Sequence, residues 1–386
     1  MRKTLAPFFV LMAVSLSLGP PHRPISAQPP AGKAVVERVC SQCHTLERVD
    51  ARRLDAKGWE AQVNKMTEFG AQLSQGERRD VVAYLAATRG LQVLKAYVVN
   101  EESQDIWAID VATKKVLAKI PIGKLPHGIS VSPDGKRLYV TNMASDDVTV
   151  VDIATNSVIM TMGSVGRNPH ESALSPDGTF LYVTNPSSNL VSVHDMRRHS
   201  VVAIIPVGRV PHGIALSADG TRAYVANMES NEISVIDTST NQVIATIPSQ
   251  AGPHRLMATR DGKRLYVINS DSNQLSVIDP VRNQVALKVL VGHSPYDLAV
   301  GAGDTVVWVS NEESNDIWAV DGSTGQILAV VPVGGGPHGI AITPDGKELW
   351  VVNIKANTLS VVDTASRKVL ATIPVGKRPH LVVITP

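Results

Sequence analysis

A seven-fold repeat constrains this chain more than any other feature. An aromatic residue followed by Val, a variable residue and Asn recurs at Tyr97, Tyr139, Tyr182, Tyr224, Tyr266, Trp308 and Trp350, at intervals of 42, 43, 42, 42, 42 and 42 residues. A period of this length, cut into short runs of Val, Ile, Thr and Tyr by turn residues, predicts propeller blades; helical arrays would return their apolar residues every 3.6 positions. In the unit around Tyr224 the four expected strands are Gly213–Ser217, Ala223–Ala226, Ile233–Asp237 and Val243–Ile247. Seven units predict a seven-bladed ring over residues 96–386. The first unit starts at Ala96–Val99 with no Pro-His strand before it, and an unmatched Pro-His strand stands at Pro379–Thr385. That last strand is therefore expected to pair with the first three and seal the ring.

The texture changes ahead of the repeat. Between Ala31 and Arg89 the apolar residues fall at helical spacing: Ala34, Val35, Val39 and Cys40, then Trp59, Val63, Met66 and Phe69, with Gly70 placed to end the second helix. Ser74 and Glu77 form a capping box for a third helix, whose stripe is Val81, Val82, Tyr84 and Leu85. A helical domain over residues 28–90, joined by a short linker (91–95) to the repeat, lies near the size at which a chain needs a metal or cofactor to complete its core.

Cys40-Ser41-Gln42-Cys43-His44 supplies one. In C-x-x-C-H the two thiols form thioethers with haem vinyl groups and the adjacent imidazole reaches the iron. A zinc half-site and a redox dithiol are the competing readings. Between Gln28 and Leu94 there is no further Cys or His to finish a zinc site, and no βαβ pattern surrounds the motif. The same interval offers Met66 as the remaining soft side chain, so Met66 is the candidate distal ligand, its structural alternative being an ordinary core methionine. A His/Met pair favours electron transfer at raised potential, whereas an open position favours chemistry at the iron.

These residues resemble a small c-type cytochrome domain, and the Trp59–Met66 helix followed by the capped Val81–Leu85 helix is similar to the haem domains of quinohaemoprotein dehydrogenases. The repeat resembles the YVTN family of seven-bladed β-propellers, through Leu138-Tyr139-Val140-Thr141-Asn142 and Ser132-Pro133-Asp134-Gly135. The resemblances imply an all-α cytochrome c domain carrying one covalent haem, fused to an all-β propeller. They do not fix a function, since YVTN propellers serve binding, scaffold and redox roles alike.

Inside the propeller a Pro-His pair recurs at His127, His170, His212, His254, His338 and His380, with Pro295-Tyr296 in the remaining blade. Six of the eleven histidines thus hold one structural position. If that position opens the innermost strand, the rings gather around one mouth of the central channel. Two readings stand: each His shapes its strand and hydrogen-bonds a neighbouring loop, or together they hold a metal, anion or cofactor. After the ring residue three blades use Gly (Gly128, Gly213, Gly339), while others place Glu171, Arg255 and Asp297. These charges are either inexpensive loop-edge residues or part of a mouth site. The repeated Asn and Asp at strand ends are expected to serve Asx turns. The echo of Glu101-Glu102-Ser103 in Glu312-Glu313-Ser314 reads as duplication, or as an acidic docking surface.

Arg2 and Lys3, the apolar run Leu5–Leu18 and Ile25-Ser26-Ala27 before Gln28 read as a cleaved export signal over residues 1–27, and predict a periplasmic or otherwise exported protein with no membrane span after cleavage. The signal removes three of the 37 basic residues and none of the 35 acidic ones, so the mature chain is electrically balanced and has no basic field for nucleic acid. The linker of six or so residues reaches at most about 20 Å, which keeps the haem close to the propeller. The sequence therefore predicts an exported haem-c electron-transfer protein that meets a redox partner, its propeller serving as docking or ligand-binding module. The rivals are a cofactor- or metal-binding protein with a site at the histidine mouth, and an oxidoreductase acting by itself.

Overall fold

The computed structural model describes residues 31–40, 56–68, 70–89, 94–301 and 303–385. The expected export signal, Cys43 and His44 lie outside them, as does the side chain of Cys40. The chain divides into two units, parting between Gln92 and Val93.

The first unit contains helices α1 (Ala31–Cys40), α2 (Ala56–Glu68) and α3 (Gln75–Arg89) among its described residues. Their apolar stripes meet in a core of Val36, Trp59, Val63, Val81 and Leu85, with Met66, Leu73 and Val82 packed at its edge. Ala34, expected on the buried stripe, faces solvent, and Val36 takes that place beside Val39. Gly70 adopts φ +98° just beyond α2, a left-handed conformation that costs glycine little and stops the helix. The capping box forms as expected: the Glu77 backbone N–H donates to Ser74 Oγ at 3.2 Å, and the Ser74 N–H donates to Glu77 Oε2 at 2.9 Å. No helix among the described residues is long and apolar enough to cross a membrane.

The second unit is a seven-bladed propeller of seven four-stranded antiparallel sheets. Six blades are continuous in sequence and run 126–163, 172–206, 211–248, 253–290, 295–332 and 337–374. The remaining blade, taken here as the first, pairs Pro379–Ile384 with Lys95–Asn100, Asp105–Asp110 and Val116–Pro121 in that order. The ring is thus sealed by one late and three early strands, as the offset of the repeat predicts. Contacts between adjacent blades run through the Pro-His strands, which places those strands innermost.

The repeated residues explain the blade. Every aromatic of the signature is buried, and the hydroxyls of Tyr97, Tyr182 and Tyr266 reach the next blade: Tyr97 Oη donates to Asn156 Oδ1 at 2.7 Å and Tyr266 Oη to the Asp304 carbonyl at 3.1 Å. The expectation for Asn needs correction. The signature Asn is fully buried and spans the sheet: in five blades its amide donates to the hydroxyl seven residues on, as Asn227 does to Ser234 at 2.8 Å and Asn353 to Ser360 at 2.9 Å, and Asn100 and Asn311 donate instead to Asp105 and Asp316. The repeated Asp does form Asx turns, with Asp237 and Asp321 accepting backbone N–H groups at 2.8 Å from Ser239 and Ser323.

Candidate functional site

The innermost strands deliver the histidines through a shared irregularity. In the blade beginning Pro211 the ladder pairs Pro211 with Asn227 and next Ile214 with Val225, so His212 and Gly213 fall in a bulge; the same shift follows Pro126, Pro253, Pro295 and Pro337. A bulge bends its strand and re-aims a side chain, here toward the axis of the ring. Hydroxyls of the preceding blade fix the backbone: Thr184 Oγ1 donates to the His212 carbonyl at 2.7 Å, and Thr141 and Ser310 do likewise to His170 and His338. Gly128 is required by proximity, since a Cβ there would lie 2.3 Å from the His170 carbonyl oxygen.

The result is an unbroken circle of seven aromatic rings. Going round from His127 through His170, His212, His254, Tyr296, His338 and back by His380, neighbouring centroids are 3.5, 3.7, 3.7, 4.2, 3.1, 4.2 and 3.7 Å apart. One position further round the separation is 6.0 Å from His127 to His212 and 5.5 Å from Tyr296 to His380. All six histidines are buried. Burial, more than mutual repulsion, holds the imidazoles neutral: His254 is pushed down to about 3, and the other five also fall well below the usual histidine range.

The scaffold reading of the histidines holds for two of them. His254 Nδ1 and His338 Nδ1 each lie 3.1 Å from the carbonyl of the next ring residue, Tyr296 and His380 respectively, which assigns their proton to Nδ1. His380 Nε2 meets the Tyr296 hydroxyl at 3.0 Å. In contrast, the Nδ1 atoms of His127, His170, His212 and His380 are buried without a hydrogen-bond partner.

The three charges that break the Gly pattern converge beneath this circle. Arg255 joins Glu171, in a close ion pair, to Asp297, whose Oδ1 lies 3.0 Å from its Nε. Both carboxylates are buried, and Arg255 is largely so. Asp297 also accepts the Leu298 N–H at 2.8 Å and the Ile340 N–H at 3.2 Å. Burial raises Glu171 to about 7 against the pull of Arg255, and raises Asp297 for the same reason. For Arg255 burial opposes the charged form, but the two carboxylates outweigh it and keep the guanidinium protonated. These are not loop-edge charges.

One participant escaped the sequence reading. Glu101, assigned to a duplicated acidic loop, is 4% exposed; its Oε1 lies 3.5 Å from His380 Nε2 and its Oε2 lies 3.0 Å from Arg378 Nε. Its counterpart Glu312 pairs instead with Lys355 at 3.2 Å. The available signal was positional, because Asn100 pairs with Pro379 in an antiparallel ladder and the next residue therefore falls opposite Arg378, from where its side chain also reaches His380. The same register puts Lys95, where the chain enters the ring, at the Thr385 end of that strand, opposite the histidine mouth.

Three family models match parts of the chain. A model for the haem-binding region of the quinohaemoprotein amine dehydrogenase alpha subunit matches residues 30–110, one for the seven-bladed lactonase propeller matches residues 92–202, and one for YncE-like β-propellers matches residues 214–301 and 298–385. No curated protein matches. Among solved structures, hydrazine synthase of Kuenenia stuttgartiensis is 26% identical, with 66% of this chain and 88% of that one covered at a TM-score of 0.61. Dihydro-haem d1 dehydrogenase NirN is 17% identical over 92% of this chain and 98% of its own (TM-score 0.59). The periplasmic gluconolactonase PpgL of Pseudomonas aeruginosa is 20% identical over 76% and 99% (TM-score 0.64). The latter two likenesses establish the propeller fold.

Proposed function

We propose that this chain is an exported haem-c electron-transfer protein whose propeller is a docking or ligand-binding module. One observation carries the reading: the haem-binding match over residues 30–110 contains Cys40-Ser41-Gln42-Cys43-His44, whose first residue is the last of α1. The described residues fit a haem. Among the described residues Val36, Trp59, Val63, Val81 and Leu85 form a buried helical core, and the Met66 thioether is half-buried at its edge. Cys40 and Cys43 would hold the haem covalently, with His44 and Met66 as axial ligands. A haem so ligated supplies a one-electron centre at raised potential. The module's remaining work is to bring a redox partner protein within reach, and export follows from the signal-like residues 1–27.

Oxidised and reduced absorption spectra of the full chain, made in a host that matures c-type haem, test this reading. A single low-spin haem retained after acid extraction supports it, and colour that extracts with solvent overturns the covalent attachment. Met66→Ala should lower the reduction potential and open the iron to carbon monoxide. An unchanged potential with no carbon monoxide binding would assign the sixth position to another group.

A further inference from the structure

The histidine circle leaves donors where a small cation fits, and two overlapping sets of three bring ligand atoms within 4.8 Å of one another: Glu101, His127 and His380, and His127, His170 and Glu171. The second set is the better ligand. His127 and His170 both carry a buried, unpartnered Nδ1, and each residue is at most 6% exposed. Glu171 gives one oxygen to Arg255 and turns the other, Oε1, to within 3.8 Å of His127 Nδ1. In the first set His380 already meets the Tyr296 hydroxyl, and Arg378 neutralises Glu101. Charge points the same way. With both acids ionised, Glu171, Asp297 and Arg255 sum to one negative charge in a buried cluster, which a divalent ion offsets and a neutral ligand does not.

We infer that His127, His170 and Glu171 bind one divalent first-row transition-metal ion or zinc at the mouth of the channel, outside the haem unit. Two imidazoles with one carboxylate match the preference of this class for nitrogen and oxygen donors, and hard cations such as Ca²⁺ and Mg²⁺ are disfavoured by the imidazoles. Bonds of about 2.1 Å in a tetrahedral ion put two donors about 3.4 Å apart, so binding requires the set to contract from the 3.8 Å seen between His127 and Glu171 and from the 4.8 Å within which all three ligand atoms lie. This inference deepens the ligand-binding role proposed for the propeller.

The test is equilibrium dialysis of the untagged, haem-loaded full chain against Zn²⁺ after chelator treatment, read by elemental analysis. Wild type should take up one Zn²⁺ per chain with micromolar or tighter affinity, leaving the haem spectrum unchanged. His170→Gln and Glu171→Gln should each weaken binding at least tenfold, and Glu101→Gln by less than threefold. No uptake by wild type overturns the site, and a loss confined to Glu101→Gln overturns the choice of ligands. A second readout needs no variant: bound Cu²⁺ should show hyperfine coupling to two imidazole nitrogens, and an oxygen-only signature overturns the proposal. A preparation without haem would sink the electron-transfer reading, while the difference between wild type and Glu171→Gln would still decide the metal site.

Discussion

Arg255 lies between two buried carboxylates, and replacing it with Met strands both. Removing one member of a buried charged group typically costs about 3–5 kcal/mol, far more than an exposed pair is worth. Arg255→Met is therefore expected to lower the unfolding free energy by that amount in urea titrations at pH 7.5. A loss under about 1 kcal/mol would show that the acids protonate at little cost once the guanidinium is gone. Glu171, Arg255 and Asp297 were visible in the sequence as departures from the Gly pattern, but their meeting was not. They are spread over three blades, and only the curvature of the closed ring brings them together. The same holds for the unpartnered histidine nitrogens, because the Pro-His motif is identical where Nδ1 finds a carbonyl and where it does not.

Strands were easier to read than contacts. The period of the aromatic signature places every blade, and in the unit around Tyr224 the observed Pro211–Leu216 and Arg222–Asn227 differ from expectation by one or two residues. What alternation cannot reveal is the bulge after each Pro, since it depends on pairing with the next strand. Close approach of neighbouring innermost strands supplies a prediction at this scale. In Gly128→Ala the added methyl meets the backbone carbonyl of His170, which has no room to withdraw, and a destabilisation of about 3 kcal/mol is expected in urea unfolding. Stability within about 0.5 kcal/mol of wild type would mean that the second and third blades part easily. In the helical unit the cap is worth less: Ser74→Ala should cost about 1 kcal/mol, read as lost helical circular dichroism on heating. That motif was fully legible, because a capping box is local.

The whole molecule should weaken in mild acid. Seven histidines (His127, His170, His194, His212, His254, His338 and His380) are held below their usual range, His194 at about 4 by burial. Their unfolded counterparts take protons below about pH 6.5, so this stability is complete above that value and is lost as pH falls. Glu101, Glu171 and Asp297 act oppositely, being raised by burial, with the first two at about 7; their contribution is present in acid and lost as pH rises. Seven groups against three leave a net fall of stability between about pH 6.5 and 4.5, to be measured as urea midpoints at pH 7, 6 and 5. A midpoint that rises toward pH 5 would show the acids in control.

Closure of the ring has a further consequence in time. Lys95 pairs with Thr385, 290 residues later. At a synthesis rate of about 5–20 residues per second, roughly 15–60 s pass between the emergence of the first strand and that of its partner. Throughout that interval the inner edge of Lys95–Asn100 carries unsatisfied backbone groups, a ready template for pairing with another nascent chain. The seam that closes the finished ring is the part of it most in need of a chaperone while it is being made.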